Sequence, residues 1–277
     1  MIRLKKFLSF ISVFIYCALF FGIQASVFFA VSYMNFLKAV QVDPALGFAE
    51  YTVAFTSKYA AELLVVSSVV TLLVLYIISL FRKERFGTYI YWGKKLPAKI
   101  LPSLAELGIG ANFWIAYVIS SVDFGAEHSQ YYADASASLE NASNIFVYIA
   151  AVAILAPIVE EILFRGIILK RSMSLLPPLT AVFFQAVIFG LMHSGLIWFL
   201  YAAFMGIILG YTRMCLSSLA SSMAVHILFN ASSVLLGVFE ALLAAAGLSS
   251  FYILPTGLFL TVDALIRIAK FEKMNDK

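Results

Sequence analysis

Eight apolar stretches of roughly membrane-spanning length dominate this chain of 277 residues. Hydrophobic residues make up 63% of the sequence and charged residues only 12%, whereas soluble domains carry about 25% charged residues. A helix needs about 20 apolar residues to cross the hydrocarbon core of a bilayer. The pattern therefore predicts an all-α fold, a polytopic membrane helix bundle of about eight transmembrane helices at 7–34, 59–81, 102–121, 144–169, 179–193, 196–213, 217–238 and 248–269.

Two of these stretches depart from an average span. The first follows three basic residues, as a signal peptide would, but its apolar run is too long for a cleaved one, so we expect an uncleaved first span. The fifth, 179–193, is short. The Ser194–Gly195 break after it predicts that it and its successor form a tight pair that dips into the bundle.

The distribution of basic residues predicts the topology. If both termini are cytoplasmic, all 19 Lys and Arg fall on the inner side except Lys38, Lys58 and the intramembrane Arg165. The outer loop, 122–143, instead carries acidic residues. Because cytoplasmic loops are enriched in Lys and Arg, we expect a multi-pass protein of the cell membrane with both termini cytoplasmic. The net charge of +4 is spread over these loops, and we expect no nucleic-acid partner.

Three ionisable residues lie in the middle of the fourth span: Glu160, Glu161 and Arg165. Each costs about 2.5–3.5 kcal/mol to insert at a helix centre, so such residues usually mark a functional site. Glu161 and Arg165 are four residues apart, which allows an ion pair on one helix face. Glu160 is rotated by about 100° from Glu161. We therefore interpret Glu160 as the chemical carboxylate and the Glu161–Arg165 pair as its support.

Two histidines lie in other spans at a similar depth. His193 follows Phe189 by one turn on the same face, and His226 precedes Asn230 by one turn. At about 1.5 Å per residue, Glu160, His193 and His226 all lie roughly 15–22 Å from the inner flank. Three separate segments thus bring polar groups to one level of the membrane, which predicts a single site.

These residue types suit activation of water. No serine or cysteine has an obvious partner base near these motifs, and the two cysteines give no disulfide framework. Glu160 can serve as a general base because burial and neighbouring positive charge tune a carboxylate. His193 can share the water or a metal, and His226 and Asn230 can donate hydrogen bonds to an oxyanion. The expected reaction is peptide-bond hydrolysis without a covalent intermediate.

A divalent metal such as zinc is a candidate cofactor. Catalytic zinc sites use three protein ligands plus water, and Glu160, His193 and His226 are the candidate ligands. The HExxH helix of many zinc proteases is absent from the sequence. We favour water activated by Glu160 without a metal and leave the metal-dependent alternative open.

Three motifs together resemble those of a known family. Glu160-Glu161-x-x-x-Arg165, Phe189-x-x-x-His193 and His226-x-x-x-Asn230 are similar, in order and spacing, to the signatures of the CPBP family. These CAAX-processing and bacteriocin-processing proteins, called Abi proteins in bacteria, include the Ras-converting CAAX prenyl endopeptidase. The resemblance covers about 150–235.

The resemblance implies an intramembrane endopeptidase. In this family the first glutamate is thought to activate water with the FxxxH histidine, and the last histidine and asparagine form the oxyanion site. Those roles would fall to Glu160, His193, His226 and Asn230, with Glu161, Arg165 and Phe189 as structural support. Members have been described both as metalloproteases and as glutamate proteases. Prenylated CAAX proteins, peptide pheromones and bacteriocin leaders are the substrates that the resemblance implies.

The motifs also divide the chain. We expect N-terminal scaffold helices over 1–143, catalytic core helices over 144–238, and the last transmembrane helix with a cytoplasmic tail over 239–277. The expected partners are membrane lipid and a membrane-associated protein or peptide substrate. Two alternatives remain: a non-catalytic scaffold or self-immunity protein, and a proton-coupled transporter. Transporters usually carry internal repeats, and none is evident in the sequence.

Overall fold

The chain forms a bundle of helices in a computed structural model that describes residues 2–140 and 145–275. Over these residues it contains no β-strand, only one isolated bridge between Gly93 and Ser218. The predicted fold class, an all-α polytopic membrane bundle, is confirmed. The helices are α1 (Ile2–Ala39), α2 (Phe48–Lys58), α3 (Ala60–Phe81), α4 (Phe86–Tyr89), α5 (Leu101–Ser121), α6 (Ala126–Glu140), α7 (Ile145–Ser172), α8 (Pro178–Leu191), α9 (Leu196–Leu216), α10 (Leu219–Ala245) and α11 (Ile253–Asn275).

The number of spans is slightly lower than the eight predicted. Six helices within the described residues are long and apolar enough to cross a membrane. Helix α10 adds a seventh if its halves, Leu219–Ser233 and Leu236–Ala245, which are bent by 43°, count as one crossing. The remaining predicted span, α8, has 14 residues and is therefore about 21 Å long, shorter than the roughly 30 Å hydrocarbon core. The protein is a multi-pass membrane protein.

The short helix α8 pairs closely with α9, as the sequence predicted. Gly195, with φ of 87°, ends the turn between them in a conformation that favours glycine. Further along α9, a Cβ on Gly206 would lie 2.9 Å from the Cα of Ala186. Only glycine permits this approach of the two backbones, so α8 and α9 form a tight antiparallel pair.

Basic and acidic segments gather at opposite ends of the bundle. At one end, which we call the basic end (82–99, 170–178 and 213–218), the Arg171 guanidinium donates a hydrogen bond of 2.8 Å to Ser12. At the other, the acidic end (122–140 and 192–198), the rings of Tyr132 and Trp198 lie 4.9 Å apart. This separation agrees with the charge pattern of the sequence. The assignment of the basic end to the cytoplasmic side stays a prediction. Lys277 and the side chain of Arg3, two of the counted charges, lie outside the described part.

The segment 122–143 is not the simple loop that the sequence suggested. Residues Ala126–Glu140 form helix α6, which contacts the turn after α8: a Cβ on Gly195 would lie 2.7 Å from the Tyr131 ring. Residues 141–144, and with them the expected domain boundary at 143/144, lie outside the described residues. Helix α2 was also missed, because at 11 residues it is too short to register as a span.

Helix α7, which carries the three ionisable residues, has an unusual backbone. Two π-helical segments, Ile149–Leu155 and Ile162–Ile168, flank an α-helical segment, Ala156–Glu161. Between them, the N–H of Ala156 donates to the carbonyl of Ala151, five residues earlier. π-helical turns are rare and often occur at functional sites. The middle of α7 is therefore a candidate position for a functional site.

Candidate active site

A cavity of about 430 Å³ lies between α1, α7, α8, α9 and α10. Glu160, His193, His226 and Asn230 all line it, together with Phe189. Glu160 keeps 17% of its side chain exposed to this cavity, whereas the side chains of Glu161 and Arg165 are fully buried. The structure thus brings together the residues that the motifs singled out.

Glu161 forms the centre of a buried ion cluster. Its Oε1 atom lies 2.8 Å from Nη1 of Arg165, the pairing that the four-residue spacing predicted. The same oxygen lies 3.0 Å from Nδ1 of His226, a contact that no sequence pattern indicated. Because a buried charge is tolerated only when it is paired, these contacts bind α7 to α10 at the level of the cavity.

The contact with Glu161 fixes which nitrogen of His226 faces the cavity. An ionised carboxylate can only accept hydrogen bonds, so Nδ1 of His226 is the donor to Glu161. The other nitrogen, Nε2, then points towards Glu160, whose Oε2 is 3.8 Å away. That distance is too long for a direct hydrogen bond. Nε2 of His226 can donate to an oxyanion only when the ring carries both protons.

His193 is oriented by its own helix end. Its Nδ1 lies 2.8 Å from the carbonyl oxygen of Phe189, and since a carbonyl only accepts, Nδ1 carries the hydrogen. In the neutral ring Nε2 then has a lone pair that can accept a proton from water. The Phe189 ring lies edge-on to the His193 and His226 rings, with centroid separations of 4.8 Å and 6.0 Å, and therefore spaces the two histidines.

Asn230 is held by the backbone of α7. Its side-chain amide donates a hydrogen bond of 2.8 Å to the carbonyl of Val152. In the π-helical register of this segment, the usual partner of that carbonyl would be the N–H of residue 157. Residue 157 is proline and has no N–H. In this π-helical register Pro157 therefore leaves the carbonyl of Val152, five residues earlier, without a main-chain donor.

The three candidate metal ligands do not meet as a ligand set. Among the residues that the structure describes, no group of three His, Cys, Asp or Glu side chains is close enough to hold a metal ion. Oε2 of Glu160 and Nε2 of His226 lie 3.8 Å apart, a separation that two ligands of one zinc ion can have because each zinc bond is about 2.0–2.2 Å long, but the described residues supply no third ligand to this pair. In this geometry we derive no step through a metal.

Several other residues of the cavity were not found from the sequence. Phe20 and Gln24 of α1 line one wall, and Trp198 and Tyr201 of α9 line another. Aromatic residues are abundant in this chain, so these carried no distinguishing signal. Gln24 did carry a distinguishing signal, because it is a polar side chain inside the first apolar run. The N-terminal helices are therefore part of the cavity wall as well as scaffold.

Comparison with known proteins bears on the part of the chain that contains this cavity. Residues 141–232 match the model of a family described as type II CAAX prenyl endopeptidase Rce1-like. This region is therefore similar to the Rce1-like family. The resemblance to the CAAX-processing proteases indicated by the three motifs is confirmed, and the matched range contains all of the motif residues. No curated protein and no solved structure matches the chain.

The Rce1-like match supports a coarse functional statement. In general terms the match supports an intramembrane protease of the CAAX type, whose substrate would be associated with the membrane. The match covers residues 141–232, which leaves α1 to α6, the end of α10 and α11 outside it. The substrate and the roles of individual residues have to be argued from the geometry of the cavity.

Proposed function

We propose that this protein hydrolyses peptide bonds of membrane-associated polypeptides by water that Glu160 activates. The observation that carries the proposal is that Glu160, His193, His226 and Asn230, from two helices and the turn after a third, line one cavity inside the bundle. Their chemistry is that of a base, a proton carrier and hydrogen-bond donors. The buried Glu161–Arg165 pair behind them supports their arrangement.

The first step of the proposed reaction is attack by water. Glu160 is the carboxylate with exposure to the cavity, so a water held between it and Nε2 of His193 can lose a proton to either. The oxygen of that water forms a bond to the carbonyl carbon of the scissile peptide. This produces a tetrahedral intermediate with a negative oxygen, and no covalent bond to the protein forms.

The second step is stabilisation of that oxygen. Asn230 uses one amide hydrogen on Val152, which leaves the other for the oxyanion. His226 supplies Nε2–H when it is doubly protonated. In that state the charges of Glu160, Glu161, Arg165 and His226 sum to zero. Each such donor contributes about 2.7–4 kcal/mol in known cases.

The last step is cleavage of the carbon–nitrogen bond. The proton taken from water is returned to the leaving nitrogen, which departs as an amine, and the carbonyl side leaves as a carboxylic acid, whose remaining proton passes to solvent or to the released amine. Glu160 or His193 delivers this proton, because each can have received it in the first step. The site then needs only a new water to begin again.

The position of the cavity favours a substrate from outside the cytoplasm. The cavity extends to Leu139, Ser194 and Trp198 at the acidic end, whereas a separate pocket of about 250 Å³ at the basic end begins at Arg165. With the topology that the charges favour, the cavity opens on the outer side. Pheromone-like or bacteriocin-like peptides and lipid-anchored outer proteins suit this better than a cytoplasmic prenylated protein.

The walls of the cavity are mainly apolar. Phe20, Phe21 and Phe28 of α1 face it across from Glu160. An extended substrate segment with apolar side chains can lie against these rings, and hydrophobic lining is typical of sites that take such ligands. The expected substrate is therefore a polypeptide whose cleaved segment is apolar and anchored in or at the outer leaflet.

The proposal is tested by turnover of purified protein in lipid nanodiscs. Apolar peptides with a fluorophore and quencher are supplied to the wild-type protein and to Glu160→Gln. We expect cleavage by the wild type only. If the protein is a scaffold, an immunity protein or a transporter, neither the wild type nor Glu160→Gln will release product. If the protein also has an effect in cells and Glu160→Gln leaves that effect unchanged, the scaffold is favoured.

A further inference from the structure

A second concave site lies at the basic end, away from the candidate active site. It is a pocket of about 790 Å³, and we call it the basic pocket. Within the described residues its lining includes four cations and no acidic side chain. The lining consists of Arg85, Gly87, Thr88, Tyr91, Trp92, Gly93, Lys94, Lys170, Arg213 and Ser217.

The four cations of the basic pocket are not neutralised by the protein. Arg85, Lys94, Lys170 and Arg213 take part in none of the ion pairs between described side chains. Three of them are exposed and Arg213 is partly buried. Four cations around one concavity repel one another, and an anion that binds between them relieves this repulsion.

The floor of the basic pocket is rigidly built. The segment after α4 is joined to the turn before α10: the N–H of Lys94 donates to the Ser217 carbonyl at 2.7 Å, and the N–H of Leu219 donates to the Trp92 carbonyl at 2.8 Å. Between them Gly93 has a φ of 83°, and a Cβ there would lie 2.1 Å from the Ser217 oxygen. A side chain at residue 93 would break this arrangement.

Arg213 lines the basic pocket and has unused hydrogen-bonding capacity. Its Nη2 donates to the carbonyl of Tyr91 at 2.7 Å, which fixes the guanidinium against the floor. Its Nε is buried and has no acceptor within the described structure. Buried donors are rarely left unpaired, so the unsatisfied Nε is an independent indication that an acceptor group belongs beside Arg213.

The location of the pocket indicates what the anion is. Arg213 lies in the last turn of the span α9, and Lys170 lies near the end of the span α7. Trp92 on the rim is 42% exposed, and tryptophan is enriched where a membrane meets water. Basic pockets between spans at this level suit phosphate-bearing lipid headgroups.

We propose that the basic pocket binds a phosphate-bearing anion, supplied as the headgroup of an anionic phospholipid of the same leaflet. Arg213 contacts the phosphate from the floor, and Arg85, Lys94 and Lys170 surround it. This proposal does not depend on the proposed function, because the pocket is separate from the cavity that contains Glu160.

The test is binding of short-chain lipids to the purified full-length protein, measured by titration calorimetry in a neutral detergent. The probes are dihexanoyl phosphatidylglycerol, dihexanoyl phosphatidylcholine and inorganic phosphate. The variant is the triple substitution Arg85→Gln, Lys94→Gln and Lys170→Gln, which removes exposed charges and leaves Arg213 in place. The matched control, Lys5→Gln, Lys83→Gln and Lys95→Gln, removes three charges from the same end outside the pocket.

We expect saturable binding of phosphatidylglycerol that the pocket triple weakens by more than about tenfold, since each basic residue near an anionic lipid headgroup adds to the attraction. The control triple should change it by less than about twofold. Binding of inorganic phosphate but not of phosphatidylglycerol would overturn the lipid source. Equal weakening in both triples, equal binding of phosphatidylcholine, or no saturable binding would overturn the site.

Discussion

The amide of Asn230 donates a hydrogen bond of 2.8 Å to the carbonyl of Val152, the carbonyl that Pro157 leaves without a main-chain partner. The proline, the π-helical turn and the asparagine therefore form one arrangement across α7 and α10. It occupies one amide hydrogen of Asn230 and leaves the other available on a side chain that lines the cavity. A residue proposed for catalysis is thus also part of the helix packing.

The two roles of Asn230 can be separated. Asn230→Ala should lower kcat and kcat/KM about equally, by about 10²–10³-fold, because an oxyanion donor acts in the transition state. It should also destabilise the protein by about 1 kcal/mol, since the Val152 carbonyl loses its donor. Steady-state kinetics and the melting temperature in detergent measure the two effects.

Pro157→Ala provides the control for that experiment. An alanine at this position supplies the missing N–H, so Asn230→Ala should cost little stability in the Pro157→Ala background and should still lose most of its activity. A rise in KM at unchanged kcat would instead assign Asn230 to substrate binding. Full activity of Asn230→Ala would exclude the oxyanion role.

The adjacent glutamates should respond differently to the same substitution. Glu160→Gln should reduce turnover by at least about 10²–10⁴-fold, the usual contribution of a general base, with normal yield and melting temperature. Glu161→Gln should lower both yield and activity, because it leaves Arg165 buried without its partner at a cost of about 3–5 kcal/mol. Normal turnover of Glu160→Gln together with a well-folded, inactive Glu161→Gln would reverse the two roles.

Removal of metal should leave most of the activity. The candidate ligands Glu160, His193 and His226 do not form a three-ligand group in the described residues, so dialysis of purified protein against a chelator should inhibit it only weakly. Metal content is measured in parallel by mass spectrometry. One zinc per chain, lost with activity in His193→Ala and restored by added zinc, would favour the metalloprotease reading.

The opening of the cavity on the outer side depends on the topology. In a chain whose two cysteines are replaced by alanine, Glu127→Cys on α6 should react with a membrane-impermeant maleimide in intact cells. Lys95→Cys at the basic end should react only after lysis. Both positions are exposed in the structure, so the reverse result would place the cavity on the cytoplasmic side and favour a prenylated substrate.

Much of the fold could be predicted because the bilayer constrains it. Apolar runs of about 20 residues fixed the helical class and most of the spans, and helix periodicity placed Glu160 and Glu161 on different faces. The length of the apolar run and the Ser194–Gly195 break indicated that α8 is short, whereas the bend in α10 had no clear sequence signature. Helix α6 was missed because its residues are polar and none of them is buried, so it lacks the apolar stripe on which recognition depends.

The sequence was enough to predict which residues belong to the candidate site, but not which contacts they make with one another. Spacing along the helices predicted that Glu160, His193, His226 and Asn230 lie at about one depth in the membrane. In the structure these four residues line the same cavity. The bond between His226 and Glu161 joins residues 65 positions apart, and local periodicity says nothing about such a pair. The π-helical register that directs Asn230 to Val152 is likewise a tertiary feature, since no residue type specifies a π turn.

The central claim is that this protein cleaves membrane-associated polypeptides through Glu160. The most direct test is mass spectrometry of peptides released from cells that contain either the wild-type chain or Glu160→Gln at matched abundance. The account predicts peptides with new termini, cut in apolar segments on the outer side of the membrane, that occur with the wild type and are absent with Glu160→Gln. Identical sets of peptide termini in the two samples would contradict it.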